Sequence, residues 1–259
     1  MMKNDQTMKD ILNLIKPIII DAGNFAKSNL HSKYKIVKKA DDDIVTEIDL
    51  QVEDKIISFL QKEFPAFGII SEEAGMINKS PEYNWILDPI DGSKHYCREL
   101  PFYSISLALK HYDEYCLGIV YSPETNEMFY AIKNKGAFLN DRRIFCSNEI
   151  DLKKTFLCIE IPHSDSETSK IDFAFEKMKY LFNYFQRIRI IGIASLGLCY
   201  TANGAFGSYI NFGSSSKEWD LAGGEIIVNE AGGQLLKIDN IIIAGPKQIN
   251  DKVIQLLEK

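Results

Sequence analysis

The chain has 259 residues, 46% hydrophobic and 25% charged, with a formal net charge of −6. That is enough polypeptide for a sizeable core in one or two domains, with a composition ordinary for a soluble globular protein. The acidic balance argues against binding a nucleic-acid polymer through phosphate neutralisation, and no apolar stretch approaches the roughly 20 residues needed to span a bilayer, so no integral membrane association is expected.

Taken in chain order, the pattern predicts a helix from about Asp5 to Lys27, with Ile11, Leu14, Ile15 and Ile18 on one side and a kink expected at Pro17. A short strand is expected over Tyr34 to Lys38, inside a basic stretch, Lys33 to Lys39, suited to a small anionic ligand. Lys33–Asp43, poor in apolar anchors, is expected to close over a substrate. A second helix spans about Ile48 to Phe64, with Val52, Ile56, Phe59 and Leu60 on one face and Pro65 as its stop. Phe67–Ser71, Tyr83–Leu87, Ser104–Lys110, Tyr115–Tyr121 and Met128–Ile132 read as strands whose short connections favour antiparallel pairing. After about residue 150 helices and strands alternate: Ile171–Tyr184 helical, Gln186–Ile191 strand, Leu196–Asn203 helical, Gly207–Phe212 strand. Trp219–Glu230 is then a helix ended by Ala231-Gly232-Gly233, followed by two short strands and a C-terminal helix carrying Val253, Leu256 and Leu257. The expected organisation is one catalytic unit, 1–259, built of an α+β sub-domain with an antiparallel sheet, 1–150, and an α/β sub-domain, 151–259, with ligands bound between them.

Five cysteines, Cys97, Cys116, Cys146, Cys158 and Cys199, include no CxxC pair and are odd in number, which fits a reduced, cytoplasmic protein. Ile18-Ile19-Ile20, followed by Asp21, is too short for a secretory signal.

Four segments carry chemistry. In Trp85-Ile-Leu-Asp88-Pro-Ile-Asp91-Gly-Ser93 an apolar run delivers two carboxylates three positions apart, with Pro89 and Gly92 expected to turn the chain directly after the strand. Asp88, the Ile90 carbonyl and Asp91 suit a hard divalent cation, and amides at the start of a following helix suit phosphate. A plain Asp-Pro and Asp-Gly turn is the alternative. Ser71-Glu72-Glu73-Ala74-Gly75 also follows an apolar run; it is a metal-ligand loop or a solvated acidic loop. In Thr46-Glu-Ile-Asp49 a capping box alone would explain both polar residues. Asp220 in Lys217-Glu-Trp-Asp-Leu-Ala-Gly-Gly224 suits the first turn of a helix, and the small residues after it permit either close helix packing or a ligand. There is no Asp-x-Asp-Gly-Thr phosphatase motif, P-loop or EF-hand, and Gly192-Ile-Ala-Ser195-Leu-Gly197 misses the nucleophile elbow by one position. The four histidines, His31, His95, His111 and His163, lack ligand spacing.

The order of these segments, with Gly136-Ala-Phe-Leu-Asn140, resembles the inositol monophosphatase superfamily of magnesium-dependent, lithium-sensitive phosphatases over nearly the whole chain. The resemblance implies a layered αβαβα sandwich of the inositol monophosphatase and fructose-1,6-bisphosphatase type, binding two to three Mg²⁺ ions and hydrolysing a small phosphorylated metabolite with metal-activated water. It implies Glu72, Asp88 and the Ile90 carbonyl for the first ion, Asp88, Asp91 and Asp220 for the second, and Glu72 again for a third. Catalytic roles fall to Asp49, Glu72 and Ser93, with Asp49 beside Ser93 orienting the water. Substrate contacts fall to Asp91, Gly92, Ser93, Lys94, Gly192, Ala194 and Asp220. Ser93 stands where the family usually has Thr, keeping the hydroxyl with a less rigid side chain.

Within that superfamily, Gly92-Ser-Lys-His-Tyr96, Ser71-Glu72-Glu73 and Ser214-Ser215-Ser216-Lys217-Glu218-Trp219-Asp220 look closer to 3′(2′),5′-bisphosphate nucleotidases, with Lys94 or Lys217 meeting a second phosphate. Inositol enzymes usually place a Glu before the last of these motifs, to bind sugar hydroxyls; Asn211 stands nearest in this chain, with the spacing altered. This ranks adenosine 3′,5′-bisphosphate first and inositol 1-phosphate second, ahead of a sugar bisphosphatase or a non-catalytic binding protein. Inositol enzymes are commonly dimers and nucleotidases often monomers, leaving monomer and homodimer both open.

Overall fold

The computed structural model describes residues 7–40, 43–213 and 216–259. Helix α1 (Met8–Asn29) begins at a reciprocal cap, the Thr7 hydroxyl accepting the Asp10 amide and the Asp10 carboxylate accepting the Thr7 amide. The expected start at Asp5 lies outside the described residues. The helix runs on through Pro17. Its buried face is Ile11, Leu12, Ile15, Ile19, Ala22 and Ala26, whereas Leu14 is 37% exposed and Ile18 only partly buried, so the stripe is rotated from the expected one. A hairpin of β1 (Ile36–Ala40) and β2 (Asp43–Thr46) follows; the tip of the expected closing loop, Asp41 and Asp42, lies outside the described residues. Helix α2 (Glu47–Glu63) buries Val52, Ile56 and Leu60, with Phe59 at the core margin.

Eight strands form the first sheet: β3 (Gly68–Ser71), β4 (Gly75–Ile77), β5 (Tyr83–Asp91), β6 (Ser104–His111), β7 (Glu114–Ser122), β8 (Glu127–Ile132), β9 (Gly136–Leu139) and β10 (Arg142–Ile144). Their order is β10-β9-β8-β7-β6-β5-β3-β4. Neighbours are antiparallel as expected, except that β5 runs parallel to β3. The hairpin puts β4 at the edge, and the chain must pass back over β3 before forming β5.

Strand β5 also departs from expectation. The chain does not turn at Pro89; the strand runs to Asp91 beside β6, with the ladder interrupted between Asp88 and Asp91. Pro89 has no amide to donate, so a bulge is where a paired strand tolerates it. The turn comes at Gly92, with φ of +105°, and the one-turn helix α3 (Ser93–Tyr96) follows.

The second sheet holds β11 (Phe156–Glu160), β12 (Arg187–Arg189), β13 (Ser208–Asn211), β14 (Gln234–Ile238) and β15 (Ile241–Gly245), ordered β12-β11-β13-β15-β14. Between these strands lie α4 (Thr168–Leu181), α5 (Ala194–Ala202) and α6 (Glu218–Glu230), and α7 (Lys247–Leu257) closes the chain. The sequence pattern does not declare strands β2, β4, β9, β10 and β11; they are three to five residues long, too short for alternation to show.

The layers follow from which face each strand residue takes. Trp85 and Leu87 of β5 and Ile105, Leu107 and Leu109 of β6 pack with α1 and α2. Ile86 and Ala108, on the other face, pack with Ala222 of α6. Helices α5 and α6 lie together between the sheets, and Ala174, Leu181, Ile249 and Val253 of α4 and α7 cover the far face of the second sheet. The result is a layered αβαβα sandwich. The small residues of α6 serve packing: a Cβ on Gly223 would lie 2.7 Å from Ser106 Oγ, and one on Gly224 would lie 2.6 Å from Leu198. No helix among the described residues is long and apolar enough to cross a membrane.

Candidate active site

Asp88 shares the strand parity of Ile86, so its carboxyl enters the layer occupied by α6 rather than the α1–α2 core. It is 1% exposed, and its Oδ1 has no hydrogen-bond partner. Burial drives its pKa well above the ordinary aspartate value; the nearby charges of Glu72, Asp91 and Asp220 push the same way, as does a hydrogen bond with Glu72. The loop after β3, the start of α6 and the end of β5 itself therefore deliver acids around one buried strand residue.

Each acid is held by its own local structure. Glu72 follows β3, and its amide donates to the Leu87 carbonyl at 3.1 Å. The loop it belongs to is fixed from beneath by Glu53 of α2, whose Oε1 accepts the Glu73 and Ala74 amides, both at 3.0 Å, and the Ser71 hydroxyl. Asp91 Oδ2 accepts the Ser195 amide at the start of α5 at 2.9 Å. Burial nevertheless raises Asp91 to about 6, against that bond. Asp220, in the first turn of α6, accepts the Lys217 amide at 2.6 Å. Among the described residues no three acidic, histidine or cysteine side chains already form a closed metal cage. Glu72, Asp91 and Asp220 gather around Asp88 at electrostatic range.

Beside them, Thr46 and Asp49 make the capping box expected of α2: the Thr46 amide donates to Asp49 Oδ2 at 3.0 Å, and the Asp49 amide to Thr46 Oγ1 at 3.3 Å. The other carboxylate oxygen faces the site. Ser93 Oγ lies 2.5 Å from Asp49 Oδ1 and 2.9 Å from the Ile90 carbonyl. Asp49 is 1% exposed, and burial raises its pKa despite the Ser93 and Thr46 hydrogen bonds. Gly92 is required where it stands: its φ is left-handed, and a Cβ would lie 3.0 Å from the Phe102 carbonyl. The first α3 amides to bond back are those of His95 and Tyr96, both to the Gly92 carbonyl, so the Gly92, Ser93 and Lys94 amides precede the helical ladder.

Glu72, Asp88, Ile90, Asp91, Gly92, Ser93, Lys94, Gly192 and Asp220 line one cleft of about 560 Å³, with Ile44, His95, Arg98, Leu100, Glu160, Ile161, Pro162, His163 and Ile190. Asp49 reaches it through Ser93, and Ala194 opens α5 behind it. Of the two lysines considered for a second phosphate, Lys94 lines the cleft and Lys217 does not. The stretch around Ser214 and Ser215 lies outside the described residues. Asn211 is spent elsewhere: it is 3% exposed, donates to Tyr209 Oη and Ser216 Oγ, and accepts the Gly213 amide at 2.6 Å.

Three contributors went unread in the sequence. Glu53 carried a signal: it lies one turn after Asp49, an acid among the buried positions of α2. Ser195 sits in a segment that misses the nucleophile elbow, yet its amide holds Asp91 and its hydroxyl lies 2.7 Å from that of Ser104. Glu160 sits at the end of a strand too short to be predicted.

The profile of the Inositol monophosphatase family matches residues 8–255. Nus factor SuhB of Pasteurella multocida is 34% identical over 229 residues, covering 87% of this chain and 84% of that protein. Inositol monophosphatase 2 of Rattus norvegicus is 31% identical over 258 residues, covering 93% and 87%. Among solved structures, the extragenic suppressor protein suhB of Bartonella henselae superposes with a TM-score of 0.90 at 27% identity over 96% of this chain and 98% of that one. A ring of acids on β5, the β3 loop and α6, on this fold and with these relatives, leaves one assignment: the chain belongs to the inositol monophosphatase family of phosphatases.

Proposed function

We propose that the cleft is the site of a magnesium-dependent phosphomonoesterase acting on a small phosphorylated polyol, with inositol 1-phosphate as its representative substrate. The observation that carries this is Asp88, a buried acid with an unpartnered oxygen and three further acids around it. Such a cluster is costly without a cation, and its all-oxygen donors suit a hard one. In this reading Glu72, Asp88 and the Ile90 carbonyl hold one Mg²⁺, Asp88, Asp91 and Asp220 hold a second, and Glu72 contributes to a third. Bound Mg²⁺ neutralises the phosphate dianion, acidifies water and stabilises the leaving alkoxide.

The remaining work belongs to the chain. The Gly92 and Ser93 amides hold phosphate oxygens ahead of α3. Ser93 Oγ, set between Asp49 Oδ1 and the Ile90 carbonyl, orients the attacking water, and Asp49, with its raised pKa, takes up the proton. Water attacks phosphorus in line as the bond to the alkoxide breaks, without a covalent phosphoenzyme.

Lys94 and Arg98 in the same cleft favour a second reading, a bisphosphate nucleotide whose other phosphate meets these cations. The carboxylate of Glu160 on that wall opposes a second phosphate, which places the polyol first. Phosphate release from inositol 1-phosphate and adenosine 3′,5′-bisphosphate, with and without Mg²⁺, decides between them. Asp88→Asn is expected to remove most turnover on the preferred substrate while the protein stays folded. Near-wild-type Mg²⁺-dependent turnover in that variant would sink the assignment.

A further inference from the structure

We infer that Glu160 is the specificity-determining acceptor of this cleft, selecting phosphate esters that carry a hydroxyl near the phosphorylated carbon. The inference rests on the phosphomonoesterase reading above and adds to it a residue outside the acid cluster.

Glu160 ends β11, and its in-register neighbour on β13 is Asn211. Of this pair, Asn211 points its polar groups inward and is fully engaged, while Glu160 lines the cleft. Its Oε1 accepts the Gly192 amide at 3.1 Å, and the Ile193 amide also bonds to the carboxylate. An ionised carboxylate has about four acceptor positions, so two amides leave capacity for a ligand donor. The amides fix the carboxylate against the backbone of 192–193, at the foot of α5, whose Ser195 amide holds Asp91. Asp91 and Glu160 are near enough for the charge of Asp91 to raise the Glu160 pKa, though burial is the larger cause. A substrate whose phosphate lies at Asp91 therefore meets Glu160 a short way along the same wall. No lysine or arginine is paired with Glu160 among the described residues, so it is not neutralised as a structural ion pair. Above its raised pKa of about 7, the Glu160 carboxylate only accepts, so it recognises O–H groups and opposes a second anion.

A purely structural role, tying down residues 192–193, makes a different prediction. Structural loosening would slow every phosphate ester, whereas loss of a substrate contact affects only esters that carry the hydroxyl. The test is the ratio of kcat/KM for inositol 1-phosphate to kcat/KM for p-nitrophenyl phosphate, measured with saturating Mg²⁺ on wild type, Glu160→Gln and Glu160→Ala. The ratio is expected to fall about tenfold or more in Glu160→Ala, mainly through KM for the polyol ester, with Glu160→Gln intermediate, as a hydrogen bond to a charged acceptor implies. An unchanged ratio, whether both activities fall together or neither does, overturns the inference and leaves the phosphatase reading standing. A wild-type enzyme that prefers adenosine 3′,5′-bisphosphate also overturns it. Failure of wild type to hydrolyse any of the three esters removes the underlying reading and the inference with it.

Discussion

Asp49 and Asp220 occupy the same place in two helices. Each is the third residue of its helix, α2 or α6, and each accepts the backbone amide of the preceding cap residue, Thr46 at 3.0 Å or Lys217 at 2.6 Å. They differ in depth. Asp49 is 1% exposed and also bonds the Thr46 and Ser93 hydroxyls, so both of its oxygens are engaged within the protein. Asp220 lies in the open cleft, with no side-chain cap at Lys217. The same local grammar thus yields a fixed acceptor in one helix and a solvent-facing carboxylate in the other. The lesson is that a capping aspartate is read as structural or chemical by what lies beyond it, not by its spacing from the cap.

That contrast can be broken by experiment. The largest effect is expected at the open site: Asp220→Ala should lower Mg²⁺-dependent turnover at least about a hundredfold, a transition-state loss of roughly 2.7 kcal/mol, while leaving the melting temperature of the metal-free protein within about 2 °C of wild type. Relief of repulsion within the acid cluster offsets the loss of the Asp220 bond to the Lys217 amide. Asp49→Ala should lower both turnover and stability, because it empties a buried capping position worth about 1 kcal/mol. Equal stability losses in the two variants would erase the distinction between them. Thr46→Ala sharpens it: about 1 kcal/mol of stability is expected to be lost, about 2–4 °C in melting temperature, with the Mg²⁺ concentration for half-maximal activity unchanged.

The smallest effect is in pH. Asp88 is raised well above, and Asp91 to about 6 from, the ordinary aspartate value, so the folded metal-free protein holds protons that the unfolded chain releases. Its stability is then greatest below the unfolded aspartate pKa and declines as pH rises from about 4 through 6. Mg²⁺ relieves that cost and competes with the same protons. The rise in melting temperature on adding Mg²⁺ should therefore be larger at pH 7.5 than at pH 5.5. A rise that shrinks with increasing pH would contradict the acid cluster as the binding site.

What the sequence made legible was what repeats or stands out locally. The apolar face of α2, the capping box at Thr46 and Asp49, and the acids at the ends of apolar runs were all readable because each depends on residues within a few positions. What stayed hidden depends on contacts made by distant parts of the chain. Pro89 reads as a turn because proline lacks an amide; pairing with β6 turns the same property into a bulge that lets β5 continue to Asp91. Leu14 fits a helical stripe, but the sheet and α2 define the buried side from elsewhere. Gly223 and Gly224 were ambiguous between ligand and packing until Ser106 and Leu198, more than a hundred and about twenty-five residues away in the chain, were seen against them. Within the site the acids on motifs were found. Glu53 and Glu160 were not, since each acts through backbone amides of loops that no local pattern assigns to it.

The bond from the Ser195 amide to Asp91 joins the first sheet to the helix that opens the opposite wall. Everything proposed to handle phosphorus is borne on residues 43–106 and 220, while the wall that meets the rest of a substrate is borne on residues 160–194. Lineages descended from such a chain can therefore diversify in diet by altering one wall, with the hydrolytic apparatus inherited intact. The hinge point of that divergence is a main-chain N–H, which does not depend on the chemistry of the small buried side chain at position 195.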